Sequence, residues 1–90
     1  MKSIIEEIVR EVSSGFFFDA HFVISRLYEV SPEDYFREFP EDKDLVPPYH
    51  GRLALLIKDF EGSLVEQQEG MSWSKNINGN YNECSLWKRI

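Results

Sequence analysis

Apolar positions recur along this chain at two different spacings, and the change comes near residue 62. Ile4, Ile5, Ile8, Val9 and Val12 fall three and four apart, the stripe of an amphipathic helix. Ser3 and Glu6 have the spacing of a capping box, in which each side chain satisfies an exposed backbone donor. Ser13-Ser14-Gly15 ends this helix, with Gly15 suited to a left-handed cap. Phe16-Phe17-Phe18 follows, and three aromatics in a row are expected to be mostly in the core. Asp19 is the N-cap of a second helix, with Phe18 and Val23 placed as a hydrophobic staple. Phe22, Val23, Leu27 and Tyr28 carry its buried face to about Val30. Ser31-Pro32-Glu33-Asp34 starts a short third helix, with proline at its first position and acids at the positive end of its dipole. Tyr35, Phe36 and Phe39 are expected to face inward, and Pro40 stops it.

Residues 41–48 are expected to be a loop ending in an extended Pro-Pro pair. A fourth helix then runs from Tyr49 to Glu61. At 100° per residue, Tyr49, Leu53, Leu56, Ile57 and Phe60 share one side, and Gly51, Arg52, Leu55, Lys58 and Asp59 share the other. Gly62 caps it, and Leu64–Gln68 is a short strand. Asn78-Gly79, between Ile77 and Asn80, is the strongest turn signal, because Asn-Gly tolerates the positive φ angles of a type I′ hairpin turn. A two-residue turn there sets Trp73 opposite Cys84 and Met71 opposite Leu86, with Cys84–Arg89 as the returning strand. The expected fold is mainly α with a C-terminal β-hairpin, an α+β domain of three to four helices and a two-stranded hairpin.

Ninety residues suit one domain, 1–90, and not two. With 42% hydrophobic residues and 14% aromatics, a core forms without staples. The one cysteine, Cys84, allows no internal disulfide. No apolar run approaches the roughly 18 residues of a membrane span, and the N-terminus lacks a signal-peptide stretch, so the expected location is cytoplasmic. The net charge of −6 is uneven. Segment 29–44 holds Glu29, Glu33, Asp34, Glu38, Glu41, Asp42 and Asp44 against Arg37 and Lys43, whereas residues 45–90 balance five bases against five acids. A nucleic-acid binder usually carries a basic footprint, and here a neutral face lies beside an acidic one.

Three helices followed by a hairpin resemble a winged-helix (winged helix-turn-helix) domain. Segment 49–90 carries the resemblance, through Asp59-Phe60-Glu61-Gly62-Ser63-Leu64-Val65-Glu66 and Ser85-Leu86-Trp87-Lys88. It implies helix 49–61 as a recognition helix and residues 70–82 as the wing, in the manner of small bacterial or phage-borne regulators. Two features depart from the pattern. Residues 31–48 replace the short turn before the recognition helix. That helix also centres on Leu55 where a DNA reader presents basic or amide side chains.

Asp19, His21, His50 and Cys84 match no metal-finger or zincin spacing. Asp19 is accounted for as a cap and Cys84 as a small buried hydrophobe, so no catalytic site, metal or cofactor is expected and the protein is read as no enzyme. Two partners stay open, DNA or a protein, and a homodimer is one form of the second. The DNA reading uses Arg52, Lys58, Lys75, Asn76 and Asn80, with phosphate or sugar contacts from the wing. The same wing residues also serve as turn and edge residues that keep a hairpin soluble. The protein reading uses Gly51 and Leu55, with the acidic segment 29–44 as solvated surface, as a contact, or as a mimic of DNA phosphates.

Overall fold

A computed structural model describes all 90 residues. The chain runs α1 (Lys2–Glu11), β1 (Phe17–Asp19), α2 (Ala20–Val30), α3 (Pro32–Arg37), a 3-10 turn (Lys43–Leu45), α4 (Val46–Lys58), β2 (Val65–Lys75) and β3 (Tyr81–Arg89). The sheet is antiparallel in the order β1-β3-β2. Four helices and a three-stranded sheet make an α+β fold. No helix is long and apolar enough to cross a membrane.

The third strand is the largest departure from the expected hairpin. Phe17, Phe18 and Asp19 pair with Lys88, Trp87 and Leu86. The pairing extends backward through Arg89 N–H to the Phe16 carbonyl (2.8 Å) and Gly15 N–H to the Arg89 carbonyl (2.6 Å). Strand alternation separates Phe17 from Phe18, and Phe16 precedes the strand. Phe18 is buried against the core, but Phe16 and Phe17 are 66% and 60% exposed. Gly15, at φ +88°, does not cap α1, which ends at Glu11. It occupies the third position of a turn closed by Phe16 N–H to the Ser13 carbonyl (3.1 Å), where a positive φ is required. The capping box is not formed: α1 starts at Lys2, with Met1 as N-cap, so Ser3 lies inside the helix.

Asp19 caps α2 as expected, accepting from Phe22 N–H at 2.8 Å. The buried face of α2 is Ala20, His21, Val23, Ile24 and Leu27, while Phe22 and Tyr28 are substantially exposed. On α3 only Tyr35 is fully inside; Phe36 is half exposed and Phe39 half-buried. α4 begins three residues earlier than expected, because Pro47-Pro48 forms its first turn. Proline there loses no intrahelical hydrogen bond. The helix buries Tyr49, Leu53 and Ile57 and half-buries Leu56, with Phe60 buried just beyond its end. Gly51, Arg52, Leu55 and Lys58 are exposed, as the wheel requires.

The hairpin register is one residue from the expected one. Trp73 lies opposite Glu83, Met71 opposite Ser85, and Ser72 opposite Cys84. Gly79 has a positive φ and Asn78 does not, so the two-residue type I′ turn, which needs both, is not formed. A three-residue loop replaces it. Gly79 N–H donates to the Asn76 carbonyl (3.0 Å) and Asn76 N–H to the Asn80 carbonyl (2.8 Å), the pattern of a type I turn closed by a glycine bulge. The Asn76 side chain favours it by accepting from Asn78 N–H at 2.9 Å. Ile77, freed from flanking the turn, packs partly on the core. The slip leaves Trp73 67% and Met71 55% exposed. β2 is also longer than the expected strand and is interrupted between Gln67 and Met71.

The core joins Ile5, Ile8 and Val9 of α1 to Val23, Ile24 and Leu27 of α2, Leu53 and Ile57 of α4, and Trp87 of β3. Ile57→Ala is expected to cost about 2–5 kcal/mol, the range for truncating a fully buried side chain. Leu55→Ala, two residues away, is expected to change stability by less than about 0.5 kcal/mol. Urea denaturation of the two variants checks both values, and equal losses would contradict the assigned core face.

Candidate functional site

Two surfaces gather the polar and reactive side chains: the outward side of α4, and a cleft where α2, α4 and the hairpin tip meet. On α4, Gly51, Arg52, Leu55 and Lys58 recur at helical spacing and all face solvent. Leu55 is 64% exposed at the centre of this row. The Arg52 guanidinium stands 5.8 Å from the centroid of the Tyr49 ring, and Lys75 on the hairpin stands 5.9 Å from that of Tyr81. Both cations therefore have an aromatic support and no carboxylate partner.

The asparagines of the tip are divided in role. Asn76 accepts from the backbone of Asn78 and Asn80 (2.9 and 3.1 Å) and donates to the Asn82 side chain at 3.2 Å. Its amide group is thus spent on the turn, whereas Asn80 is exposed. Gly51 and Asn76 are brought together as walls of the cleft. Arg52, Leu55 and Lys58 stand on the outer side of the helix.

Ion pairing separates the bases of the two halves. Lys2, Arg10, Arg26 and Arg37 each lie within 4.0 Å of a carboxylate, the closest being Arg37 to Asp34 at 2.7 Å. Lys43, Arg52, Lys58, Lys75, Lys88 and Arg89 form no such pair. The acids before α4 remain largely unpaired as well. Asp42 accepts from Asp44 N–H at 2.9 Å, which caps the 3-10 turn.

The cleft encloses about 310 Å³ and is walled by His21, His50, Gly51, Ile77, Glu83 and Cys84, among others. Metal-ligand spacing in the sequence gave no sign of the hydrogen-bonded cluster on its α2 side. Ser72 and Ser74 alternate along β2, and both hydroxyls donate to Asp19 Oδ2, at 2.6 and 2.8 Å. Ser74 Oγ is also 2.7 Å from His21 Nδ1 and 3.9 Å from Cys84 Sγ. The single Ser74 hydrogen goes to Asp19, so the Ser74 oxygen accepts from His21 Nδ1–H. The ligand atoms of Asp19, His21 and Cys84 all lie within 4.8 Å of one another. The period-2 pair Ser72 and Ser74 was the legible signal for one shared strand face.

Burial acts on each titrating group here. It raises the Asp19 carboxyl, but hydrogen bonds from Ser72, Phe22 N–H and Ser74 together outweigh it, leaving the pKa below the ordinary value. Burial pushes the Cys84 thiol up, opposed by the backbone N–H groups of His21 and Ala20 at the start of α2. On the opposite wall, burial lowers His50, helped by the positive charge available to His21. Burial pushes Tyr35 up to about 12. Its hydroxyl shares a hydrogen bond with His50 Nε2 at 2.6 Å.

A second depression, along Phe16, Phe17, Phe22 and Leu86, is apolar and open. No family model, curated protein or solved structure matches the chain.

Both lowered groups give the fold an acid-sensitive stability. His50 is less basic folded than unfolded, so its contribution is complete above the ordinary value of 6.5 and declines as pH falls below it. Asp19 is more acidic folded than unfolded, so its contribution declines only below 3.8. Urea midpoints measured from about pH 8 to pH 3 are expected to fall in two stages. Asp19→Asn is expected to flatten the lower stage alone. A profile unchanged by that substitution would remove the carboxylate from the account.

Proposed function

We propose that the chain is a non-enzymatic winged-helix binding module that meets a protein partner through the outward side of α4. The element order helix, strand, helix, helix, hairpin and the sheet order β1-β3-β2 support the winged-helix reading. α4 then takes the place of the recognition helix and residues 70–82 that of the wing. α3 and the 3-10 turn fill the interval that is a short turn in the usual motif.

The exposure of Leu55 carries the choice of partner. A leucine 64% exposed, beside a bare glycine and between two cations, offers an apolar centre with a polar rim, which is the anatomy of a protein contact. The charge near the start of α4 agrees. Glu41, Asp42 and Asp44 precede the helix, at the end that a groove-reading helix would bring toward phosphates. A second copy of the chain is one such partner.

One observation favours a second reading, in which the same face binds duplex DNA. The unpaired Arg52, Lys58 and Lys75 all stand on α4 and the hairpin. In that reading, Arg52→Ala and Lys58→Ala each flatten the salt dependence of binding by about one unit.

Leu55→Lys separates the two. Against a protein it buries an unpaired charge, and loss of self-association or of partner capture is expected, with the fold intact by circular dichroism. Against DNA it adds a cation near phosphates, and tighter duplex binding is expected. Sedimentation of the free protein, partner capture and retention on immobilised duplex at low salt read these outcomes. Duplex retention that Leu55→Lys strengthens and the Arg52→Ala, Lys58→Ala pair abolishes would overturn the protein reading.

A further inference from the structure

The Asp19–His21–Cys84 cluster combines an oxygen, a nitrogen and a sulfur donor drawn from the end of β1, the start of α2 and the middle of β3. We propose that these three side chains form a binding site for one borderline divalent transition-metal ion, of which zinc is the type. The site is independent of the macromolecule that α4 meets.

Donor chemistry selects the ion. A thiolate and an imidazole suit zinc and its neighbours, whereas calcium and magnesium require several oxygens. Geometry then sets how far the donors must move. Zinc bonds of about 2.0–2.3 Å in a tetrahedron place ligand atoms about 3.3–3.8 Å apart. The three donors lie within 4.8 Å of one another, so they must close by about 1.5 Å at most, set against that tetrahedral spacing.

The Ser74 hydroxyl stands between them, 2.8 Å from Asp19 Oδ2, 2.7 Å from His21 Nδ1 and 3.9 Å from Cys84 Sγ. It occupies the centre that the ion would take. The ion therefore requires the Ser74 hydroxyl to turn away from that centre. Asp19 can serve because its two oxygens are divided, Oδ1 holding the α2 cap and Oδ2 facing the cluster. Ser72 stays on Oδ2 at 2.6 Å, an outer partner that orients the ligand. The adjoining cleft gives an entry path and room for water as a fourth ligand.

Ion binding requires the Cys84 thiol to lose its proton and the His21 ring to carry its hydrogen on Nε2. One proton is released to solvent per ion. Affinity therefore rises with pH, the more so because burial holds the thiol protonated in the free protein.

Cobalt(II) is the spectroscopic probe and zinc its competitor. Titrating the full chain with cobalt is expected to give a one-to-one thiolate charge-transfer band and the strong visible absorption of a tetrahedral centre, both erased by zinc. Zinc is also expected to protect Cys84 from alkylation. Cys84→Ser removes the charge-transfer band, and His21→Gln weakens zinc binding by at least about tenfold. Ser74→Ala vacates the centre and is expected to bind zinc as tightly as the wild type or more so. The wild-type spectrum decides the matter even if a variant fails to fold. Absence of the band, or zinc uptake unchanged by Cys84→Ser, overturns the site. Weaker binding by folded Ser74→Ala overturns the placement of the ion at the position of that hydroxyl.

Discussion

Antiparallel pairing between β1 and β3 holds the two halves of this chain together, and most of the remaining structure follows from it. Phe18 stands opposite Trp87, and both are buried. Asp19, the next residue, leaves the strand and caps α2 in the same step. The strand therefore determines where α2 starts, and with it where His21, Ile24 and Leu27 point. On the other side, β3 is held between β1 and β2, so the position of the hairpin relative to α2 is fixed by the same hydrogen bonds. The convergence of Asp19, Ser72, Ser74 and Cys84 is a direct result.

The helical part of the fold was legible because its signals are local. The α2 cap, the proline start of α3 and the two sides of α4 are each set by residues within one or two turns, and each is present. The misread features were those decided by distant partners. β1 is three residues long and carries no alternation of its own, so only its pairing with β3 reveals it. The capping box at Ser3 had the right spacing, yet the helix begins two residues too early to use it. Pro47-Pro48 is compatible with both an extended segment and a first helical turn, and packing of Tyr49 and Leu53 selects the helix.

The hairpin shows how one local choice propagates. Asn78-Gly79 is a turn in either register, but a bulged three-residue loop moves the cross-strand pairs from Met71 to Lys75 by one. Ser72 and Ser74 then sit with Cys84 on the side that meets Asp19, while Trp73 and Met71 turn to solvent. Of the residues singled out from the sequence, Gly51, Arg52, Leu55 and Lys58 stand exposed together on α4, because a helix wheel depends on nothing beyond the helix. The polar cluster could not be assembled that way, since its members come from both ends of the chain. Charge adds a similar division, with the early bases paired to carboxylates and the later ones bare.

The short strand β1 also bears on the order in which the molecule is built. Phe18 and Trp87 are separated by most of the chain, so joining them closes a long loop and carries a correspondingly large entropic cost. Helices α1, α2 and α4 need only near neighbours to begin forming, and the β2–β3 hairpin closes on itself. Contacts of long sequence separation are the slow ones in folding. During synthesis, Trp87 emerges after all four helices, and until then Phe18 and the apolar face of α2 have no sheet to cover them. Strand β3 thus acts as the latch of the domain, completing a core whose other parts are already assembled.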